Sequence, residues 1–286
     1  MTFMFTPKPE ISFTESGEGT PVVLLHGSAS NSKQWRSLAE YLNGRFRVIC
    51  PDLPGYGRSK GGAGNRVMTL EEIVRLLEPV FDRYDDPVHL VGHSFGAAVA
   101  LKAARMHPGK VRSLTMIEPA VFNLVWAKHG VLSAKTKQFV SAARSSQIAL
   151  EEGDAWSAMR IFLDFWNGEG SWGRTSFSLR QKLATCAAQI QDDFSALVMD
   201  KFTDLDAAGV VCPVLNVTGA NSPSEMRMIS ETLQQSLPFI RHEVVAGAGH
   251  MLPMTDPHLT DPMIGEFLEQ VDFGWQDAKN EVLIAA

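Results

Sequence analysis

The chain has 286 residues, 45% apolar and 20% charged, with a net charge of −6 and a pI near 5.8. This composition excludes a disordered chain, and no apolar run reaches the ~18 residues of a membrane-spanning helix. The acidic balance, with no basic stripe, points away from nucleic acid.

Length allows one large core, or a core carrying an inserted module. Cys50, Cys186 and Cys212 show no CxxC spacing. They read as reduced thiols of a cytoplasmic protein rather than a disulfide framework or a metal site. The start, MTFMFTPKPE, lacks the basic and apolar regions of a secretory leader.

In chain order, short apolar runs stand at 22–25, 47–50, 88–91, 111–117, 214–217 and 240–245, followed by turn residues. Runs this short, closed this way, predict strands buried on both faces. Helical spacing occupies 32–42, 70–84 and 95–106 between the first four. Thr69 and Glu72 form a capping-box signature for the second of these. The alternation predicts an α/β fold with a parallel sheet covered by helices on both sides.

The alternation stops at Pro119. Residues 122–206 predict three or four helices and no strand, and they hold four of the six tryptophans. These rings form the core of a small helical domain and its seam with the sheet, or line an apolar substrate pocket between two domains. Trp126, Phe165 and Trp166 are the pocket candidates.

Gly92-His93-Ser94-Phe95-Gly96 fits G-x-S-x-G, with a strand before it and a helix of small residues after it. A nucleophilic serine needs that context, because its hydroxyl must stand exposed on a tight turn at a strand's carboxyl end. Gly57-Arg58-Ser59-Lys60-Gly61 also matches but lacks both neighbours and reads as a turn. Gly168-Glu169-Gly170-Ser171-Trp172-Gly173 resembles a dinucleotide fingerprint without its strand and is set aside. A serine hydroxyl needs a base to take its proton. Of eight histidines, His250 is placed best, in Ala246-Gly247-Ala248-Gly249-His250 after the last apolar run.

With these residues in view, the sequence resembles the α/β-hydrolase superfamily over nearly its whole length. His26-Gly27 with Trp35 downstream resembles the oxyanion-loop signature, and Asp52-Leu53-Pro54-Gly55-Tyr56-Gly57-Arg58-Ser59 resembles the D-x-x-G-x-G-x-S loop. Gly92 to Gly96 matches the nucleophile elbow, and Gly249-His250 the histidine loop. The resemblance implies an eight-stranded, mostly parallel sheet with a helical cap after the family's sixth strand. The core would then be 1–121 and 207–286, and the cap 122–206. It also implies backbone oxyanion donors at Ser28 and Phe95, and a structural role for Asp52. The family's usual acid position falls at Asn221, which carries no charge. Some members place the acid after the sixth strand, where Glu118 stands. Glu225 is the other carboxylate in view.

The resulting expectation is a serine hydrolase acting on a small or medium apolar ester-like molecule through Ser94, His250 and Glu118. It needs no cofactor or metal and has a small-molecule substrate as its only expected partner. A thioesterase or lactonase would use the same residues, as would a carbon–carbon bond hydrolase, for which Arg160, Arg174 or Arg180 could supply donors to an enolate. A non-catalytic ligand-binding protein is the rival from another class, favoured by the uncharged Asn221.

Overall fold

The computed structural model describes residues 11–61, 66–130 and 136–285. The MTFMFTPKPE start therefore lies outside the described residues. Seven strands form one sheet: β1 (Phe13–Ser16), β2 (Thr20–Leu25), β3 (Phe46–Pro51), β4 (Val88–His93), β5 (Val111–Ile117), β6 (Val214–Gly219) and β7 (Ile240–Val245). Their order is β1-β3-β2-β4-β5-β6-β7, with β1 antiparallel to β3 and every other pair parallel. The six apolar runs correspond to β2–β7. The eight strands implied by the resemblance become seven among the described residues. The strand missed by apolar patterning, β1, is an edge strand reading FTES, mostly exposed, so it carries no apolar run.

Period-two side-chain alternation builds two apolar layers. Val23 and Leu25 of β2 join one cluster with α2 (Leu70–Phe81) and α3 (Phe95–Met106). Val22 and Leu24 join the opposite cluster, with α1 (Arg36–Leu42) and the long α13 (Pro257–Ala285). The capping box at Thr69 and Glu72 opens α2 as its sequence predicts.

Between β5 and β6 the described residues form helices and no strand. These are α4 (Phe122–His129), α5 (Lys137–Glu151), α6 (Ala155–Asn167), α7 (Ser171–Arg174), α8 (Phe177–Thr185), α9 (Ala187–Met199) and α10 (Asp204–Ala208). The three or four helices expected become seven among the described residues. Turns at Gly130, Gly153, Gly168 and Gly170, and caps at Ser176 and Thr203, cut the helical pattern into short pieces. The last helix ends at Ala208, two residues past the anticipated boundary. Beyond β6 lie α11 (Ser224–Ser236) and the short α12 (Leu252–Thr255).

The chain passes from β2 to β3 on one side and then crosses to β4 on the other. The carboxyl ends of β2 and β4 thus flank the point where strand order reverses, and their loops diverge to leave a crevice there.

Candidate active site

Ser94 lies between the end of β4 and the first residue of α3, at φ 53° and ψ −116°. A positive φ is strained for a residue with a Cβ. The strain persists because neighbours leave no alternative. The Ser94 N–H donates to the Ile117 carbonyl at 2.9 Å, and the Ser94 carbonyl accepts from Ala97, Ala98 and Ala120. Gly96 has no room for a side chain, since a Cβ would stand 2.3 Å from the Leu25 carbonyl oxygen. The helix can therefore start hard against β2.

His250 is brought to the same edge by the loop after β7. Its Nε2 lies 3.1 Å from Ser94 Oγ and its Nδ1 3.0 Å from Glu118 Oε2. Glu118 is fully buried. Its other oxygen accepts the Gly219 N–H and the Ser222 hydroxyl, both at 2.7 Å. With Glu118 as carboxylate, Nδ1 carries the ring proton and Nε2 is free to accept from the serine. Trp166 of α6 stacks on the His250 ring at 4.0 Å and 24°. An aromatic face there stabilises an imidazolium and excludes water from it.

The loops around this chain are held by two neutral histidines and by the Asp52 carboxylate. His26 Nε2 accepts the Leu53 N–H at 2.9 Å, so its Nδ1–H donates to the Gly27 carbonyl at 2.8 Å. Burial pushes its pKa down to about 4. His93 Nε2 donates to the His250 carbonyl at 2.9 Å, and burial lowers its pKa to about 3. Asp52 accepts from the N–H groups of Ser32 and Arg58 at 2.7 and 2.9 Å, the loop-shaping contacts expected of it. In the rejected serine motif, the Ser59 hydroxyl accepts the Ser12 N–H and ties that loop to the segment leading into β1.

A cavity of about 560 Å³ opens over Ser94 and His250. Ser28, after β2, lines it, while Phe95 opens α3, where an N–H has no partner within the helix. The two sequence-nominated donors thus flank Ser94 from the two diverging loops. Trp166 lines the cavity. Trp126 and Phe165 do not: they pack behind it with Phe122 and Phe139, in the aromatic core of the helical segment. Arg174 reaches the cavity, held by the Ser171 hydroxyl at 2.8 Å and the Glu169 carbonyl. Arg180 lies over Trp172 instead, and Arg160 is exposed.

A family model described as alpha/beta hydrolase fold matches residues 20–257. The chain belongs to that family. A pimeloyl-[acyl-carrier protein] methyl ester esterase of Methylococcus capsulatus is 45% identical over 102 residues, covering 36% of this chain and 38% of that protein. The match thus spans well under half of that relative's length. An (E)-2-((N-methylformamido)methylene)succinate hydrolase of Acinetobacter baylyi is 24% identical over 267 residues, covering 90% and 93%. A hydrolase structure from Oleispira antarctica superposes with a TM-score of 0.72 at 20% identity, covering 90% and 94%. At that identity the likeness is one of fold.

This α/β-hydrolase departs from its family's usual pattern at the acid. Asn221 lies in the loop after β6 and is exposed. Its side-chain amide donates to the Gly247 carbonyl at 2.8 Å, bracing the histidine loop. The same loop gives Glu118 its two donors, Gly219 and Ser222. Glu225 accepts from its neighbour Ser224 at the start of α11. Sequence reading did not find Asp193 of α9, which is buried and accepts from the hydroxyls of Ser28 and Tyr56. No local pattern marks it. Among the described residues no group of His, Cys, Asp and Glu is arranged to hold a metal, and no helix is long and apolar enough to cross a membrane.

Proposed function

We propose that this α/β-hydrolase cleaves carboxylic esters through an acyl-enzyme. The observation that carries the reading is the Ser94–His250–Glu118 hydrogen-bonded chain, with links of 3.1 and 3.0 Å, at the floor of the cavity. Ser94 Oγ attacks the ester carbonyl while His250 Nε2 takes its proton. The carbonyl electron pair moves to oxygen, and the N–H groups of Ser28 and Phe95 stabilise the oxyanion. Collapse breaks the carbon–oxygen bond, and His250 returns the proton to the leaving alkoxide. Water, deprotonated by the same histidine, then releases the acid and regenerates Ser94. Glu118 keeps the imidazole in the right tautomer and balances its charge. Helices α4–α10 act in this reading as the cap, with Trp166 closing over the histidine. No cofactor has a part in it. Buried Cys50 and Cys212, with thiol pKa values pushed up by burial to about 12 and about 11, fit a reducing cytoplasmic setting.

The cavity wall also bears on the substrate. Phe162, Leu163, Leu179 and Leu183 supply an apolar side, and Lys33, Arg174 and Lys182 stand among its other residues, with no carboxylate lining it among the described residues. In a chain of net charge −6 this imbalance favours an ester with an apolar body and an anionic end. Of the relatives, one is named for a methyl ester and the other for a substituted succinate. The non-catalytic reading drew on Asn221; a carboxylate at hydrogen-bond distance from His250 removes that motive.

Treatment with a fluorophosphonate, followed by intact-mass analysis, is expected to give one adduct, lost in Ser94→Ala. Untreated wild-type protein should hydrolyse a dicarboxylic acid monomethyl ester about tenfold faster than the dimethyl ester, a preference that shrinks with salt. An unlabelled, folded wild-type protein would overturn the hydrolase reading. Equal rates on the two esters would overturn the anionic substrate class.

A further inference from the structure

Asp193 belongs to α9, yet it reaches two loops of the sheet. Its Oδ2 accepts from the Ser28 hydroxyl at 2.5 Å and the Tyr56 hydroxyl at 2.7 Å, and its Oδ1 accepts from the Gln189 amide at 3.1 Å. Ser28 follows β2 and Tyr56 follows β3. One carboxylate therefore ties the helical segment to the carboxyl edge of the sheet at two points. The seat is shaped for it: Gly55 has φ +83°, and a Cβ there would meet Gln189 Oε1 at 1.9 Å.

Among the described residues no cation contributes at Asp193. Facing it are the two hydroxyls, the Gln189 amide and the like-charged Asp192 on its own helix; the neutral ring of His26 packs edge-on against Tyr56, one of the two hydroxyl donors, at 5.4 Å. Burial raises the carboxyl pKa to about 7. A buried carboxylate with only neutral donors is a poor way to stabilise a fold; an apolar side chain of similar size does as well or better. It does supply direction. Short, charge-assisted bonds from two hydroxyls fix where those hydroxyls, and the backbones that carry them, can lie.

We propose that Asp193 is a positioning residue that clamps the Ser28 loop so that the Ser28 N–H is aimed at the developing oxyanion, and only while α9 is seated on the sheet. The oxyanion hole and the seating of the helical segment then form one unit. This inference rests on the reading of Ser28 and Phe95 as oxyanion donors.

The test is the rate of Ser94 phosphonylation by a small fluorophosphonate, whose phosphoryl oxygen occupies the same hole, together with kcat and KM on a methyl ester. In Asp193→Ala the labelling rate and kcat should each fall at least tenfold, with KM within about twofold. Asp193→Asn should recover to within about threefold, because its amide oxygen can accept from both hydroxyls and its N–H can donate to Gln189 once that amide turns its oxygen inward, in place of the present Gln189 N–H donation. That rescue separates aiming from general damage to the fold. Ser28→Ala keeps the backbone N–H but removes the tether, and should lose threefold or more.

Wild-type rates in folded Asp193→Ala, or equal losses in the Ala and Asn variants, would overturn the proposal. If Asp193→Ala fails to fold, Ser28→Ala decides, and an unchanged rate there overturns it. A wild type that takes no label removes the hydrolase reading and this inference with it. A labelled wild type with unaffected variants removes this inference alone.

Discussion

Ser94 and Glu118 are two of three non-glycine residues at positive φ among the described residues, at 53° and 51°. They end neighbouring parallel strands whose register sets His93 beside Ile117, so the next residue of each strand lies at the same edge. Both backbones are anchored across the sheet, Ser94 N–H to Ile117 and Glu118 N–H to Val217, each at 2.9 Å. Strain of about 1–3 kcal/mol per residue is held in place by that scaffold. It aims two side chains at a histidine arriving from elsewhere. Replacing Glu118 by Gln should leave this geometry standing but favour the wrong imidazole tautomer, and kcat should fall by about 10³-fold or more. Asn221→Ala removes one exposed hydrogen bond and should change kcat by less than about threefold. Steady-state kinetics on the two variants checks the pair, and equal losses would overturn the assignment of the acid. Ser94 and His250 were legible in the sequence because tight turns leave glycine signatures. Glu118 was legible by combining family precedent with a count of one helix and one strand. Asp193 was not, since its partners Ser28 and Tyr56 lie 165 and 137 residues away and no spacing rule links them.

At the scale of elements, the buried strands and the helices covering them announced themselves through apolar runs and caps. The edge strand β1 and the short helices after β5 did not, because partial burial erases the period that patterning reads. A second long-range contact fixes α13 to the sheet. Asp272 accepts from His89 of β4 at 3.0 Å and from Arg112 of β5. Burial pushes the Asp272 pKa up, but hydrogen bonds from His89, Thr20 and Arg112 outweigh it and hold the value at about 2. Arg112 is only 4% exposed, so losing its carboxylate strands a buried cation. Asp272→Asn should cost about 2–4 kcal/mol in urea unfolding at pH 7. The contribution is present above about pH 4 and lost as pH falls through 2. An unchanged unfolding midpoint would show that α13 is held by apolar packing alone.

For the molecule as a whole, buried titratable groups pull stability in opposite directions with pH. His26 and His93, held at about 4 and about 3, are excluded from protonation by folding. Their support is complete above about pH 6.5 and is lost as pH falls, by about 1.4 kcal/mol per unit for each. Asp193 behaves the other way. Its pKa is raised to about 7, so its burial penalty is complete above pH 7 and fades as pH falls toward 4. Two histidines outweigh one carboxylate, and of these three groups the balance is most favourable near pH 6.5. Urea unfolding across pH 4.5 to 8 should show that maximum. Asp193→Asn should raise stability at pH 8, by about 4 kcal/mol at most, and steepen the acid-side decline. An Asn variant no more stable than wild type at pH 8 would refute the buried-charge penalty.

The split origin of the catalytic candidates has a consequence during synthesis. Ser94 and Glu118 belong to one contiguous strand–helix–strand unit, but His250 follows Glu118 by 132 residues. At ribosomal speeds of about 5–20 residues per second, that gap lasts roughly 7–26 seconds. Throughout it the nascent chain carries a serine and an acid with no base between them. The newborn polypeptide thus has no Ser94–His250 pair until all seven described strands of its sheet have been made.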